Sequence, residues 1–251
     1  NDQNDYVIGD ALTYAGRFET ISRDINDNSH LFFEKIDIRD QVRVRNLFET
    51  HQFDGVIHFA AESHVDRSIN NPNIFVETNV VGTLNLLNAS LKRFEKNNDF
   101  KFLHVSTDEV YGDLSEDDPA FTEKTPLHPN SPYSASKASS DLLVLSFHHT
   151  FNLPTLITRC SNNYGPFQFP EKLIPLMIQR ANMDKQLPVY GDGRNIRDWI
   201  HVHDHIEAIW RVWEVGITGE VYNIGGDSEV RNIDVVKTIL DQMRKPESLI
   251  N

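Results

Sequence analysis

Phe102-Leu103-His104-Val105-Ser106-Thr107-Asp108-Glu109 changes character half-way along. Phe102 to Val105 is short and continuous, as a buried strand of a parallel sheet is. Hydroxyls and two adjacent carboxylates follow directly. In open parallel sheets ligands bind off the carboxyl ends of the strands, so the stretch reads as a buried strand that delivers Thr107, Asp108 and Glu109 to a site. Two carboxyls in different environments can divide two roles, removing a carbon-bound proton and protonating a departing hydroxyl. Taken alone, the same triplet also reads as a solvated loop with a helix cap.

Further strands are expected on either side. Tyr6 to Ile8 ends at Gly9-Asp10, and Phe32 to Asp37, Gly55 to Phe59 and Thr155 to Thr158 follow the same pattern. Helical segments lie between them. Gln41 to His51 is one, and Tyr133 to Phe151, with Leu142, Leu145 and Phe151 near one face, is another. Ile74 to Lys96 carries Val76, Val80, Leu84, Leu87 and Leu91 at helical spacing. Strands alternating with helices predict an α/β fold, a doubly wound parallel sheet covered on both sides. Pro166, Pro170, Pro175, Pro188 and the turn Gly191-Asp192-Gly193 then break the pattern. Residues 1–160 are therefore expected to form a nucleotide-binding domain. Residues 161–251 are expected to form mainly a smaller substrate-binding lobe, interleaved with the last elements of the sheet.

Tyr133-Ser134-Ala135-Ser136-Lys137 carries the sharpest chemical signal. Residues four apart share one helix face, so the Lys137 ammonium falls beside the Tyr133 phenol. A phenol titrates near pH 10, and a nearby cation favours its ionised form. The pair can then take a proton from a bound hydroxyl.

The 251 residues are 39% apolar and 24% charged, an ordinary globular composition. A net charge of -13 argues against a protein that tracks nucleic-acid phosphates. An anionic ligand would need local positive groups or helix N-termini. The single cysteine, Cys160, excludes an internal disulfide and suits a reducing cytosol; a small buried apolar side chain is its expected role. No run approaches the roughly 18 apolar residues of a membrane helix, and no signal peptide is visible. Asn1 to Asp5 is a polar run without an initiator Met.

STDEVYG, SPYSASKASSD, RCSNNYGPFQFPEKLIP, PVYGDGRNIRDWIHVHDH and YNIGG, with DALTYAG and AAESHVDRS, run over nearly the whole chain. Together they resemble the nucleotide-sugar 4,6-dehydratases of the extended short-chain dehydrogenase family, and within them the dTDP-glucose branch. The resemblance implies a Rossmann-like fold with bound NAD as cofactor. It implies that Tyr133 takes the 4-hydroxyl proton, that Thr107 bonds the 4-oxygen, that Glu109 takes the C5 proton and that Asp108 protonates the leaving 6-hydroxyl. For NAD it implies Asp10, Ala11, Leu12 and Thr13, then Asp37 and Ile38 at the adenine. Phe59, Ala60, Ala61, Thr78 and Asn163 are implied with Tyr133 and Lys137 on the nicotinamide side. For the sugar nucleotide it implies Ser63, Thr107, Asn162, Lys172, Leu173, Pro188, Val189, Tyr190, Arg197 and Asn232, with Arg197 and Lys172 opposing the diphosphate.

A cytoplasmic homodimer is implied, with no nucleic-acid or membrane partner, acting in deoxysugar synthesis of the rhamnose type. His201, His203 and His205 alternate as a metal site on a strand would, but the resemblance implies structure there and no metal. The family's G-x-x-G-x-x-G turn and its D-R-P-G-H stretch are not found. A fragment short at both ends is expected on that ground, with weak NAD binding and a tendency to aggregate. A degenerate, non-catalytic nucleotide-binding paralogue, or an epimerase or decarboxylase on the same scaffold, are the alternatives.

Overall fold

The computed structural model describes residues 4–115 and 118–251, so Asn1 to Gln3 of the polar start lie outside the described residues. The elements in chain order are β1 (Tyr6–Asp10), α1 (Glu19–Asp27), β2 (Leu31–Lys35), α2 (Gln41–His51), β3 (Gly55–His58), α3 (Val65–Asn70) and α4 (Pro72–Phe75). A π-helical stretch, Val76–Gly82, leads into α5 (Thr83–Phe94). β4 (Lys101–Thr107) runs into a 3-10 turn, Asp108–Tyr111, ahead of α6 (Pro132–Phe151), β5 (Thr155–Cys160) and β6 (Asn162–Tyr164). Then come α7 (Leu173–Asn182), β7 (Ile196–His201), α8 (Val202–Val215), β8 (Val221–Ile224), β9 (Glu229–Arg231) and α9 (Asn232–Gln242).

β1 and β2 pair in parallel, and the central sheet has the order β3-β4-β5-β8. β3 and β4 are parallel, with Ile57 opposite Leu103 and His58 opposite His104. Along β4, Phe102, His104 and Ser106 point one way and Leu103 and Thr107 the other. All five are buried, so this strand is covered on both faces. One core gathers Phe102 and Ile157 of the sheet with Val44 and Phe48 of α2, Leu86 and Leu87 of α5, and Val144 and Phe147 of α6.

The chain divides into two compact units. The first holds the residues up to Arg159 and Arg211–Asn223; the second holds Cys160–Trp210 and Ile224–Asn251. The second has its own sheet, β6-β7-β9, and its own core of Met177, Ala181, Leu187, Val236 and Leu240.

Local chemistry explains the helix ends. Asp40 caps α2, accepting from the N–H groups of Val42 at 3.1 Å and Arg43 at 3.0 Å. α6 starts with Pro132 in its first turn and a reciprocal cap. Ser131 Oγ accepts from Ser134 N, and Ser134 Oγ accepts from Ser131 N, each at 3.0 Å.

Three expectations are corrected. Ile74 to Lys96 is not one uniform α-helix, because the ladder widens over Val76–Gly82. π-Helical turns of this kind occur mostly at functional sites. The buried face of α6 is not the one marked by Leu142, Leu145 and Phe151: Leu142 and Phe151 are 58% and 46% exposed, and Leu145 alone of the three packs, partly buried, against the core. It is made instead by Tyr133, Lys137, Asp141, Val144 and Phe147, because polar side chains with buried partners take the inner face. Finally, His201 ends β7 and Val202 opens α8, so the three histidines do not share a strand face. Cys160, at the end of β5, is half-buried.

Candidate active site

β4 ends where the 3-10 turn begins, and the turn is anchored by its second half. Val110 and Tyr111 are buried against Ala138 of α6, while Asp108 and Glu109 remain half-buried. Thr107 Oγ1 accepts from Glu109 N at 3.3 Å and donates to Asp108 Oδ1 at 3.2 Å. The fold thus brings the turn that follows Thr107 beside the helix that carries Tyr133 and Lys137.

Tyr133 and Lys137 are both buried on the inner face of α6. Tyr133 meets Phe75 edge to face, with ring centroids 6.3 Å apart. The Lys137 ammonium donates to the Val105 carbonyl at 2.9 Å and lies 3.3 Å from His104 Nε2. The π-helical stretch locks the first turn of α6 in place. Asn79 Nδ2 donates to Ser136 Oγ at 2.8 Å, and Ser136 Oγ donates to the Tyr133 carbonyl at 2.7 Å. The same Asn79 side chain pins the backbone of Glu62, accepting from its N–H at 2.8 Å and donating to its carbonyl at 2.9 Å.

Behind these two side chains lies a buried polar layer not named among the sequence-based expectations. Arg159 Nε donates to Asp141 Oδ2 at 2.9 Å, and its Nη1 donates to the Tyr111 hydroxyl at 2.8 Å. Tyr111 in turn donates to Asn223 at 2.7 Å. Burial raises the Asp141 pKa even against the opposing pull of Arg159 and Lys137. His58 Nε2 bonds Thr83 Oγ1 at 2.9 Å, and that hydroxyl already donates to the Asn79 carbonyl at 2.6 Å. The His58 proton therefore sits on Nε2. Burial first, and the Lys137 charge second, push the His58 pKa down to about 3. The signal that could have found Asp141 is its spacing: Tyr133, Lys137 and Asp141 fall at steps of four on one helix face.

The residues expected at the cofactor sit where strands end. Asp10 closes β1, and its Oδ1 accepts from Leu12 N at 2.6 Å. Leu12 is held with φ +49°, a left-handed conformation unfavourable to a branched side chain. Ala11 and Thr13 flank it. Asp37 follows β2 and binds the Arg39 guanidinium, at 2.6 Å from Nη2, which lowers its pKa. Ile38 is buried beneath Gly82. Phe59, just past β3, is 56% exposed, followed by the small Ala60 and Ala61. Thr78 lies in the π-helical stretch, and Ser63 is exposed just before α3.

The remaining expected residues belong to the second unit. Asn162 and Asn163 are on β6. Asn163 Oδ1 accepts from His205 Nδ1 at 2.8 Å, and its amide donates to the Ser161 carbonyl at 3.1 Å, so its side chain is engaged in structure. Burial lowers the His205 pKa. Lys172 and Leu173 open α7. Leu173 and Val189 pack on the core that holds Val236. Pro188 is exposed and Tyr190 is 81% exposed. Asn232 opens α9, and its buried Oδ1 has no hydrogen-bond partner among the described residues. Arg197, on β7, is exposed and donates to the Ile196 carbonyl. A cavity of about 280 Å³ opens beside Tyr164, Trp199, His201 and Gly226. Among the described residues no cluster of His, Cys, Asp or Glu is placed to hold a metal, and no helix is long and apolar enough to cross a membrane.

Comparison with known proteins bears directly on this geometry. The GDP-mannose 4,6 dehydratase family profile matches residues 4–250. A dTDP-glucose 4,6-dehydratase of Escherichia coli is 51% identical, over 100% of this chain and 74% of its own length. One from Xanthomonas campestris pv. campestris (strain B100) is 56% identical, over 95% and 70%. The chain belongs to the dTDP-glucose 4,6-dehydratase family. Among solved structures, the Streptomyces venezuelae dTDP-glucose 4,6-dehydratase with NAD bound superposes with a TM-score of 0.93 at 42% identity, covering 100% of this chain and 75% of that one. The Thermotoga maritima UDP-glucose 4-epimerase matches with a TM-score of 0.86 at 27% identity, covering 97% and 76%. The Rossmann-like α/β architecture is common to the family and to these neighbours, and the chain is an enzyme of the hydro-lyase type.

Proposed function

We propose that the chain dehydrates dTDP-glucose to dTDP-4-keto-6-deoxy-glucose with NAD as a recycled cofactor. The observation that carries this reading is the packing of Val110 and Tyr111, which directly follow Thr107-Asp108-Glu109, on α6, one face of which holds Tyr133 and Lys137. Relatives named for this reaction, and a neighbour solved with NAD, support it.

The strand ends fit the cofactor. An exposed carboxylate at Asp10, a left-handed Leu12 and an exposed Phe59 beside two alanines suit an adenosine and a flat ring at the carboxyl edge of a parallel sheet. Asp10, Ala11, Leu12 and Thr13, with Asp37 and Ile38, hold the adenosine end in this reading. Phe59, Ala60, Ala61, Thr78 and Asn163 flank the reacting end. When bound, NAD supplies a place to park a hydride from C4 and return it to C6.

The chain's own groups move the protons. Tyr133, its phenolate favoured by the Lys137 ammonium, takes the proton of the 4-hydroxyl. Thr107 turns its hydroxyl to the resulting 4-oxygen. Glu109 removes the C5 proton, and Asp108 delivers one to the departing 6-hydroxyl, which leaves as water. The C5 proton returns from Glu109, and the Tyr133 proton restores Asp108, so the enzyme ends as it began. In the second unit Arg197 and Lys172 meet the diphosphate, a task suited to a guanidinium fork. Asn162, Leu173, Pro188, Val189, Tyr190 and Asn232, with Ser63 of the first unit, hold the rest of the sugar nucleotide. The exposed Leu142 and Phe151 of α6 and Val76 and Val81 of the π-helical stretch supply an apolar face for a homodimer, and the cytoplasm is the setting in which this reading places it.

The test is incubation of the chain with NAD and dTDP-glucose, followed by mass spectrometry for loss of one water. Tyr133→Phe should lower turnover by at least ~100-fold while leaving sugar-nucleotide binding intact. A folded chain that epimerises UDP-glucose and leaves dTDP-glucose unchanged would overturn the reading.

A further inference from the structure

His104 is wholly buried on β4, between two charged side chains of α6. Its Nε2 lies 3.3 Å from the Lys137 ammonium and 3.5 Å from Asp141 Oδ1. Lys137 and Asp141 are four residues apart, so both leave the same face of the helix. Each has a second anchor. The Val105 carbonyl accepts from Lys137 at 2.9 Å, and Arg159 Nε donates to Asp141 Oδ2 at 2.9 Å. A second imidazole, His58 of β3, lies beside His104 with ring centroids 5.1 Å apart.

An ammonium has donors and no acceptors, so in the contact with Lys137 Nε2 of His104 accepts; the ring proton is then on Nδ1, which is buried with no hydrogen-bond partner among the described residues. Burial first, then the Lys137 charge, hold the His104 pKa well below its usual value, so the ring is neutral. This neutrality matters. A carboxylate placed directly on Lys137 would cancel the field that a phenolate at Tyr133 needs. Asp141 is instead paired with Arg159, and it approaches the same His104 Nε2 that the ammonium approaches.

We propose that His104 is a positioning residue: a neutral acceptor that, with the Val105 carbonyl, fixes the Lys137 ammonium to the strand that carries Thr107, and keeps its charge available to Tyr133. The proposal rests on reading Tyr133 and Lys137 as the acid–base pair. The titratable and charged groups around His104 and the ammonium include His58 from β3, Arg159 from β5 and Asp141 from α6. Without the His104 acceptor the ammonium loses one of its anchors on β4, and its mean distance from the phenol grows.

The experiment compares His104→Phe, which keeps a flat apolar ring, with His104→Gln, whose amide oxygen can reach the place of Nε2. Tyrosine ring-carbon NMR, with the Tyr133 signal assigned by its loss in Tyr133→Phe, follows ionisation of that phenol in each folded chain. His104→Phe should raise the pH at which Tyr133 ionises by about one unit and lower turnover at neutral pH by about ten-fold. His104→Gln should stay within about two-fold of the unaltered chain in turnover and keep its titration. If the phenylalanine chain does not fold, His104→Asn, too short to reach Lys137, takes its place with the same expected shift. A titration unchanged in the folded Phe or Asn chain overturns the proposal, as does a Gln chain as impaired as the Phe chain. Absence of turnover in the unaltered chain would count against the dehydratase reading, while the titration still decides the role of His104.

Discussion

Asp141 and Arg159 are sensitive to single-residue change, because they form an ion pair almost wholly shielded from water. Their side chains are 0% and 4% accessible, and the Arg159 guanidinium also lies over the Tyr111 ring at 4.9 Å. Removing one partner of such a pair leaves a charge buried alone. Asp141→Asn should cost about 3–5 kcal/mol in urea unfolding. Replacing both together, Asp141→Leu with Arg159→Met, should recover most of that loss, since well-packed apolar side chains avoid desolvating two charges. A double variant as unstable as Asp141→Asn would show that the pair is worth more than its desolvation. The shared helix face of Tyr133 and Lys137 was legible in the sequence because its geometry is local, four residues on one helix. Arg159 and His104 were not, because their partners lie on other elements and only packing brings them together.

At the scale of elements, close backbone approach decides where glycine is required. β7 carries Asp198, whose Oδ2 accepts from Gly226 N and whose Oδ1 accepts from Ser228 N, each at 2.7 Å. Burial alone would raise the Asp198 pKa, and these N–H groups outweigh it and hold the carboxyl below its ordinary value. The loop is drawn so tightly onto β7 that a Cβ at Gly226 would fall 2.0 Å from the Trp199 carbonyl oxygen. Gly226→Ala must therefore push the loop off the strand, at a cost of about 1–3 kcal/mol. Amide exchange at Ser228 and Trp199 should accelerate with it, and unchanged protection there would refute the account. The elements of the first unit were largely legible, since β3, β4 and α2 follow apolar runs and caps. The π-helical widening was not. It depends on Asn79 and Thr83 finding His58, Glu62 and Ser136, and none of those contacts is written in a local period.

For the molecule as a whole, buried titrating groups govern the response to acid. His58 ionises near pH 3 when folded and near 6.5 when unfolded. Between those values the unfolded chain holds a proton that the folded chain lacks. Stability therefore falls as pH drops through this window, by about 1.4 kcal/mol per pH unit from this residue. His104 acts in the same direction, and so do Asp37 and Asp198, whose folded pKa values are lowered. Asp141, raised by burial, acts against them. His58→Gln should flatten the dependence of unfolding free energy on pH between 6.5 and 3. Parallel curves for the two chains would mean that His58 is protonated in the folded state.

The amino-acid sequence by itself determined the alternation of strand and helix, the strand that ends in Thr107-Asp108-Glu109, and the placing of Tyr133 and Lys137 on one helix face. Each of these rests on a period or a spacing of a few residues, and local stereochemistry converts such spacings into shared faces. Tertiary structure alone decided which side of α6 is buried. The apolar Leu142 and Phe151 stay outside, while Lys137 and Asp141 go in. A buried charge is tolerated only where partners from other strands meet it, and His104, Val105 and Arg159 reach these two side chains only once β4 and β5 lie beside the helix.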